Sequence, residues 1–326
     1  MLFSVIIPCF NSENHISTCL KYLLAQINSD DDIEVLLVDD GSNDNTLSII
    51  SEYKEKYPYY IKIIKNEKNR GVSYSRNVGI YNSIGKFILF LDSDDQYKDG
   101  LFIELRNIIK KSSDIDIVSF SFLREGGKDK SETIYSFKEF NKKIFYNIDF
   151  FKLFCIKKIN QHICSAAFRR ELIISNNIFF DLGTYIGEDV EFQIKSILYA
   201  KKIYYSSTIF FIYKYNSQSV TNNKLSEKHL SFGKIYPRLK KIISDKNLIP
   251  YLSFYYTYSF FYILYSFSED KNLVNKFSIY DSILKDRMYI NISNKKSLIT
   301  FISKVVYKIN KKIFLSLLNF FKRIST

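Results

Sequence analysis

The sequence predicts an α/β fold with a mainly parallel sheet flanked by helices. The first observation is that short apolar runs alternate, over residues 1–95, with segments whose apolar residues recur at spacings of three and four. Such alternation is typical of strand–helix–strand units, which place neighbouring strands in parallel. The second observation is that two of the apolar runs end in acidic residues. Open parallel sheets bind ligands at the carboxyl ends of their strands, so the pattern also indicates where a site lies.

Four strands of this sheet are nearly uninterrupted apolar runs, as expected for strands that are buried on both faces. They are predicted at Ser4–Pro8, Ile33–Val38, Ile61–Ile64 and Phe87–Leu91. Proline fits the end of the first strand, because its nitrogen donates no hydrogen bond to a neighbouring strand.

Three helices are predicted between these strands. The first carries Ile16, Leu20, Leu23 and Leu24 on one face, and we expect Asn11 or Ser12 to cap its amino terminus. The second begins at residues 43–46, and the third covers residues 72–83. Each helix lies between two strands, which favours the parallel connection.

The fourth predicted strand is followed directly by Asp92, Ser93, Asp94 and Asp95. Three carboxylates within four residues repel one another unless a cation lies among them. Hard oxygen ligands suit Mg²⁺ or Mn²⁺, and such ions often share their coordination with substrate phosphates. A polar turn is the alternative. The second strand also ends in acids, at residues 39–40, and two acidic strand ends on one edge of a sheet favour a site.

Several motifs in this order resemble family 2 glycosyltransferases, the inverting group with the GT-A fold that builds bacterial surface polysaccharides. The resemblance extends from about residue 2 to about residue 221. It rests on residues 4–11, on Val38-Asp39-Asp40-Gly41-Ser42 with Asn45-Thr46, on Asn69 to Ser73 with Ser75 to Gly79, on Leu91 to Asp95, and on Gly187-Glu188-Asp189.

The resemblance implies that a nucleoside-diphosphate sugar, with a UDP-sugar favoured, binds at the carboxyl edge of the sheet. Asp40 is then expected to accept a hydrogen bond from the base, and Arg76 to lie near the nucleotide. The alternatives are a helix-start turn for Asp40 and a surface position for Arg76. The donor-binding residues implied by the family are Pro8, Phe10, Asn11, Asp40, Arg76, Asp92, Ser93 and Lys214.

The resemblance also implies a bound Mn²⁺ or Mg²⁺ held by Asp92, Asp94 and Asp95, without deciding which of them contacts the ion. It makes Asp189 the general base that takes the proton of the acceptor hydroxyl, with Glu188 on the acceptor side. An acidic first helical turn, favoured by the helix dipole, is the alternative, and both can hold together.

Two positions around the implied site depart from a simple match. Cys164 stands where the family pattern leads us to expect an aromatic residue. Lys214 stands where we expect arginine, in the segment 213–221 that resembles the part closing over the diphosphate. Lysine supplies charge but not a bidentate fork, and an exposed polar strand end is the alternative. His162, although close to the expected acceptor cleft, has no zinc-type spacing with the other histidines.

Charge divides the chain into two predicted regions. Residues 1–223 form the catalytic domain, with residues 1–95 as the nucleotide-sugar-binding half and residues 96–223 as the acceptor half. Residues 224–326 hold 19 basic and 6 acidic residues, and this excess equals the whole-chain net charge of +13. The region is expected to be mainly helical, and no DNA- or RNA-binding motif accompanies its charge. The apolar stretch 248–268 contains too many tyrosine and hydroxyl side chains for a membrane span, so we expect a buried or interfacial helix.

The last part of this region, residues 295–326, has eight basic residues and no acid. Apolar residues recur through it at spacings of three and four, from Leu298 through Ile302, Val305 and Ile309 to Ile324. A basic amphipathic helix suits an anionic membrane surface. The alternative is a helix that packs on the protein with its lysines in solvent.

Three classes of function remain open from the sequence. The leading one is a metal-dependent glycosyltransferase with a lipid-linked or growing surface glycan as acceptor. The others are a non-catalytic protein that binds nucleotide sugars or glycans, and a basic adaptor for membranes or nucleic acid. The four cysteines form no CxxC pair, which favours reduced thiols. The expected location is the cytoplasm, with peripheral attachment to the inner face of the plasma membrane.

Overall fold

The computed structural model describes residues 1–27, 32–126, 131–214, 231–266, 281–291, 293, 295–310 and 314. The chain divides into two compact units. The first comprises Met1–Phe150, Asn160–Leu182 and Phe192–Ser217, and the second comprises Phe151–Ile159, Gly183–Glu191 and Gln218–Thr326. The predicted division cuts the chain once, at residue 223. The second unit of the structure also contains Phe151–Ile159 and Gly183–Glu191, which lie between segments of the first unit in the sequence.

The first unit is built on one sheet of ten strands in the described part of the chain. The strands are β1 Phe3–Cys9, β2 Ile33–Asp39, β3 Ile61–Lys65, β4 Phe87–Phe90, β5 Gln96–Tyr97, β6 Ile117–Glu125, β7 Thr133–Tyr135, β8 Lys143–Tyr146, β9 Ala166–Arg169 and β10 Lys202–Lys214. Their order is β3-β2-β1-β4-β9-β6-β10-β5, with β7 paired to β6 and β8 paired to β10.

The four strands predicted from the sequence are all present and pair in parallel in the order β3-β2-β1-β4. The reason is burial: every residue of β2 and of β4 is buried, as are all but one of β1. Each fully buried Val, Leu or Ile side chain contributes about 1.5–3 kcal/mol relative to an exposed one. The other half of the sheet is mixed, because β9 runs antiparallel to both β4 and β6.

The helices, in chain order, are α1 Ile16–Leu24, α2 Thr46–Lys56, α3 Val72–Asn82, α4 Leu101–Lys111, α5 Asn147–Cys155, α6 Arg170–Ser175, α7 Glu188–Tyr199, α8 Ser231–Ile242, α9 Ile249–Ser266, α10 Asp281–Lys285 and α11 Lys295–Ile309. The first three confirm the predicted helices.

The predicted cap of α1 is wrong. His15 is the residue before the helix, and no side chain caps it. Both expected capping side chains have other partners: the Asn11 Oδ1 accepts a hydrogen bond from the Asn43 N–H, and the Ser12 Oγ lies 2.8 Å from the Ser93 Oγ. The Ser12 carbonyl oxygen, rather than its hydroxyl, accepts from the first backbone N–H groups of the helix.

The second unit contains the aromatic helix that was weighed as a membrane span. Helix α9 buries Leu252, Phe254, Tyr256 and Phe260, and its Tyr256 ring lies 4.9 Å from that of Phe232 on α8. The prediction of a buried aromatic helix is confirmed as far as Ser266. Among the described helices, none combines the length and the apolar character that crossing a membrane requires.

Helix α11 confirms the predicted helix over residues 295–309, whereas residues 311–313 and 315–326 lie outside the described part. It packs through Ser297, Thr300, Lys304 and Tyr307, which are all buried. The Lys304 Nζ donates a hydrogen bond of 2.6 Å to the Asp286 carbonyl oxygen. The apolar side chains that recur along the helix lie on the other side and are exposed: Ile302 at 51%, Val305 at 37% and Ile309 at 79%.

Candidate functional site

The acidic strand ends meet at one edge of the first unit's sheet. Strands β1, β2 and β4 run in parallel side by side, so the loops that follow them lie together. The Asn11 N–H donates to the Ser42 Oγ at 3.0 Å, which joins the loop after β1 to the loop after β2. Ser12 joins the same loop to Ser93 after β4. Thus Asn11 and Ser93, two predicted donor-binding residues, belong to one network.

The loop after β1 also presents an aromatic side chain. Phe10 is 43% exposed, whereas the strand before it is buried up to the half-buried Pro8. Asn11 takes up a left-handed conformation with a φ of 48°, which asparagine tolerates better than most residues. This turn places the Phe10 ring beside the edge of the sheet, where a planar base can stack on it.

Asp40, the predicted partner of the base, is buried and already held by three N–H donors. Its carboxylate accepts hydrogen bonds from the backbone N–H groups of Arg70, at 3.1 Å, and Gly71, at 2.7 Å. The Asn66 Nδ2 donates a third bond of 2.7 Å. Sequence reasoning missed Asn66. It directly follows β3, which is parallel to β2, so the sequence could have placed Asn66 at the same edge of the sheet as Asp40.

Glycine is required after Asp40. Gly41 has a φ of +72°, a conformation that other residues rarely adopt. A Cβ atom at this position would lie 2.9 Å from the backbone of Lys68. The close approach brings the segment 66–71 against the loop after β2, and this segment supplies the donors that hold Asp40.

Arg76 lies on α3 but is not a surface residue. It is 4% exposed, and its Nη2 donates a 2.8 Å hydrogen bond to the Asp92 Oδ1. The predicted alternative of an exposed arginine is therefore wrong. Burial acts to raise the pKa of Asp92, but the positive charge and the hydrogen bond of Arg76 bring that pKa below its ordinary value. Asp92 is thereby held as a carboxylate.

Asp95 is the most unusual acid in the described part of the chain. It is fully buried, its Oδ1 accepts a 2.8 Å hydrogen bond from the Lys214 N–H, and its Oδ2 has no hydrogen-bond partner. Burial, followed by the negative charges of Asp92 and Asp94, raises the pKa of Asp95 well above its ordinary range. A buried carboxylate oxygen with no donor beside two other acids fits a site for a divalent cation.

The possible ligand atoms support this fit. One carboxylate oxygen each of Asp92 and Asp95 and the Sγ of Cys164 lie within 4.8 Å of one another. Asp94 is half-buried and is not part of this cluster among the described residues. Its contact with a metal stays a prediction. A divalent metal at this place is what the resemblance to family 2 glycosyltransferases implies.

A short turn positions Cys164. The His162 Nδ1 accepts a hydrogen bond from the Cys164 N–H at 3.2 Å, and the Ser165 Oγ accepts one from the His162 N–H at 2.8 Å. The His162 ring stacks on Phe211 at 5.0 Å, which fixes the turn against β10. His162 is thus a satisfied, stacked histidine that positions Cys164.

Lys214 lies at the end of β10, and its backbone N–H rather than its side chain contacts Asp95. The positive charge of Lys214 lowers the pKa of Asp95, although by less than burial and the neighbouring acids raise it. Residues 215–221, which complete the segment expected to close over a diphosphate, lie outside the described residues. The phosphate role of Lys214 stays a prediction.

The predicted base, Asp189, and its neighbour Glu188 belong to the second unit, where they begin α7. The loop before them is fixed by two contacts. Gly187 has a φ of +84°, and a Cβ there would lie 2.5 Å from the Phe232 ring. The Ser231 Oγ accepts hydrogen bonds from the N–H groups of Tyr185 and Ile186. The acidic first turn is present, and it leaves both acids half-buried.

Glu191, the third acid of this turn, has a structural role. It is 2% exposed, and the Arg238 Nε donates a 3.0 Å hydrogen bond to its Oε1. The same guanidinium donates to the Thr184 Oγ1 at 2.7 Å. Arg238 therefore ties the loop to the helix through Glu191, whereas Glu188 and Asp189 are half-buried and are not part of this contact.

A lysine that the sequence did not indicate lies in the same unit. The Lys157 Nζ is 3.6 Å from the centroid of the Tyr255 ring. Burial lowers the pKa of Lys157 to about 7, and the negative charge of Asp189 acts in the opposite direction. The surroundings of Asp189 therefore include a cation and a buried tyrosine.

Comparison with known proteins gives consistent matches. The sequence model described as Glycosyl transferase family 2 matches residues 4–175. The poly(ribitol-phosphate) beta-glucosyltransferase of Bacillus spizizenii is 32% identical over 214 residues, which cover 65% of this chain and 32% of that protein. The cholesterol galactosyltransferase of Borreliella burgdorferi is 30% identical over 271 residues, which cover 79% of this chain and 74% of that protein.

The fold matches a solved structure, that of S. aureus TarS 1-349 in complex with UDP-GlcNAc. The TM-score is 0.72 at 22% identity, and the match covers 87% of this chain and 81% of that one. The likeness shows the GT-A fold predicted for the first unit. The chain spans only about a third of the length of the Bacillus spizizenii relative.

Proposed function

The chain belongs to glycosyl transferase family 2, and from this we propose that it is a metal-dependent inverting glycosyltransferase. It moves a sugar from a nucleoside diphosphate, with UDP favoured, to a hydroxyl group of a lipid-linked or growing surface glycan. The observation that carries the proposal is the cluster of Asp92 and the fully buried Asp95 beyond the end of β4. The unpartnered Oδ2 of Asp95 is suited to a divalent cation, and cations of this kind bind substrate phosphates.

The donor is assigned to the edge of the sheet where β1, β2 and β4 end. The exposed ring of Phe10 stacks on the base, and Asp40, fixed by its three donors, accepts from a base N–H. UDP is favoured because TarS, which shares the fold, has been solved with UDP-GlcNAc. The positive charge of Lys214 lies beside Asp95, on the side where a diphosphate is expected.

Asp92 and Asp95 are the residues that would hold the cation, and Arg76 keeps Asp92 in its charged form. When bound, a divalent cation supplies positive charge for the departing diphosphate. Asp189 accepts the proton of the acceptor hydroxyl group. The oxygen of that hydroxyl forms a bond to the anomeric carbon of the donor sugar while the bond from this carbon to the diphosphate breaks. Attack from the opposite face inverts the configuration. General-base catalysis of this kind contributes roughly 10²–10⁴-fold to the rate.

The names of two relatives support the proposed acceptor class. One is named for transfer to poly(ribitol-phosphate) and another for transfer to cholesterol. A hydroxyl on a surface polymer or on a lipid is the acceptor chemistry that these names share. We propose a hydroxyl group of this kind as the acceptor for the present chain, without assigning it poly(ribitol-phosphate) or cholesterol in particular.

Attachment to an anionic membrane surface completes the proposal. Helix α11 presents Ile302, Val305 and Ile309 outward while its polar side packs inward. Lys296 and Lys308 on the same helix are exposed. An apolar face bordered by lysines suits the inner face of a plasma membrane, where each basic residue contributes about 1 kcal/mol. Attachment would keep the protein at the surface where a lipid-linked acceptor lies.

Donor binding is tested by thermal unfolding with a panel of nucleotide sugars, with Mn²⁺ or with EDTA. A ligand present at 100 times its Kd stabilises the native state by about 2.7 kcal/mol. We expect a UDP-sugar to raise the Tm when Mn²⁺ is present and to have little effect with EDTA or in Asp95→Asn. If every nucleotide sugar leaves the Tm unchanged, or if EDTA makes no difference, the proposed donor site is wrong.

Membrane attachment is tested by sedimentation with anionic and neutral liposomes at low salt. Ile302→Glu is expected to reduce binding to anionic liposomes at least about tenfold, because it places a charge on the inserted face. Ile84→Glu, at an isoleucine of the first unit that is 67% exposed, is the matched control and is expected to bind like wild type. Equal loss in both variants, or no binding by the wild type, would exclude α11 as the membrane contact.

Point substitutions are preferable to deletion of the segment. Removing residues 295–326 also removes Thr300, Lys304 and Tyr307, which are buried within the second unit. Loss of membrane binding after such a deletion could therefore reflect loss of packing. A substitution at an exposed position such as 302 leaves that packing side intact.

A further inference from the structure

We propose that Cys164 is a third ligand of the cation site, so that this site takes thiophilic divalent cations in preference to Mg²⁺. The inference rests on the proposed metal site at Asp92 and Asp95, and it concerns which ions that site accepts. A soft sulfur donor beside two carboxylates gives a mixed O,O,S ligand set, and the order of affinity then rises from Mg²⁺ through Mn²⁺ to Zn²⁺ and Cd²⁺.

The position of the thiol carries the inference. The Cys164 Sγ and one oxygen each of Asp92 and Asp95 lie within 4.8 Å of one another. An ion with bonds of about 2.3 Å to sulfur and about 2.0–2.2 Å to oxygen holds two ligand atoms at most about 4.5 Å apart. Atoms near the 4.8 Å limit therefore move closer together when they close around an ion.

The second observation is a buried, unpartnered oxygen on one residue of this cluster. Asp95 is fully buried, and its Oδ2 has no hydrogen-bond partner. A free buried cysteine usually behaves as a small apolar side chain among other apolar groups. Cys164 instead lies beside two carboxylates: its thiol hydrogen-bonds to Asp92, and the Asp95 Oδ2 lacks a donor, so a bound cation would take the place of the thiol proton between them.

The backbone around Cys164 is built to hold this position. The His162 Nδ1 accepts from the Cys164 N–H, and the His162 ring stacks on Phe211. The Sγ is therefore presented to Asp92 by a turn that the core fixes, not by a mobile loop. When an ion binds, the thiol proton is released to solvent and the thiolate becomes the ligand, as for other metal-bound cysteines.

The experiment uses the full chain, freed of metal and without nucleotide, titrated with Cd²⁺ while the ultraviolet thiolate-to-cadmium charge-transfer band is recorded. We expect one equivalent of Cd²⁺ to give the band in the wild type and a large excess of Mg²⁺ not to remove it. Cys164→Ser is expected to abolish the band, and Asp95→Asn to weaken Cd²⁺ binding at least about tenfold.

Two cysteine variants are matched controls. Cys19→Ser tests the other thiol near Asp92, because its Sγ lies 3.8 Å from the Asp92 carbonyl oxygen. Cys155→Ser tests a buried thiol of the second unit. Both are expected to keep the band. A band that survives in Cys164→Ser, or that disappears in Cys19→Ser alone, overturns the inference.

Cadmium-113 NMR of the wild type gives an answer that needs no variant to fold. A signal in the region of mixed sulfur and oxygen ligands is expected, and a signal in the all-oxygen region would contradict the proposal. The outcome is separable from the proposed function. If the protein transfers sugar but the cadmium signal lies in the all-oxygen region, only the proposal that Cys164 is a ligand is wrong. If the signal shows sulfur ligation but no nucleotide sugar binds, only the proposed transferase function is wrong.

Discussion

Arg76 and Asp92 show how a single pair of residues organises the site. An arginine that is 4% exposed needs a partner, and the Asp92 carboxylate at 2.8 Å supplies it. The same contact keeps Asp92 ionised although Asp95 and Asp94 lie close to it. A helix surface position was the alternative interpretation of the sequence, since periodicity alone does not show that a polar residue on α3 faces inward.

Removing the guanidinium is expected to leave Asp92 uncompensated. Breaking a buried pair from one side costs about 3–5 kcal/mol, and the lower end applies here because the Asp92 side chain is 28% exposed. We therefore expect Arg76→Met to lower the free energy of unfolding by about 3 kcal/mol in urea titrations. The double variant with Asp92→Asn should lose clearly less than the sum of the two single variants. Strict additivity would show that the ion pair does not stabilise the fold.

The carboxylates of the site could be predicted from the sequence, whereas the groups that hold them could not. Asp40 and Asp92 to Asp95 directly follow apolar runs, so local pattern places them at strand ends. Asn66 and Cys164 reach Asp40 and Asp92 across 26 and 72 positions of the chain. Contacts of that kind depend on strand order and on turn geometry, which no local pattern shows.

At the scale of the element, α11 shows what the spacing of apolar residues can predict and what it cannot. The spacing of Leu298, Ile302, Val305 and Ile309 predicts a helix with an apolar stripe, and the helix is present. Periodicity does not show which side packs. Here the side with Thr300, Lys304 and Tyr307 is buried, because the Asp286 carbonyl oxygen and the aromatic ring of Phe260 provide contacts for the lysine and the tyrosine.

Lys304 makes a prediction about pH. Burial lowers its pKa to about 8 in the folded protein, against an ordinary value of 10.5. Between these values the unfolded chain binds more protons than the folded one, so stability rises with pH across this window. We expect Lys304→Met to reduce the slope of unfolding free energy between pH 8 and 10 by up to about 1.4 kcal/mol per pH unit. Lys296→Met, at an exposed position on the same helix, is the control and should keep the wild-type slope.

At the scale of the whole molecule, the two halves of the sheet differ in how far they could be predicted. The parallel order β3-β2-β1-β4 arises from strand–helix units that are close in sequence. The mixed half depends on β9, which inserts between β4 and β6 and runs against both. The second unit likewise joins segments 151–159 and 183–191 to residues far along the chain. Such long-range pairings are determined by packing in three dimensions, which local sequence patterns do not show. The prediction from the sequence therefore divided the chain only once, at residue 223.

The central claim, that Asp189 is the base of an inverting transfer, is tested most directly by proton NMR of the anomeric signal during turnover of the UDP-sugar found by thermal unfolding. The wild type is expected to form a product of opposite configuration to the donor. Asp189→Asn should bind the donor normally and form product about 10²–10⁴ times more slowly. Asp149→Asn, in the first turn of α5, is the matched control and should turn over like wild type. A product that keeps the donor's configuration, or an Asp189→Asn rate equal to that of the control, would contradict the account.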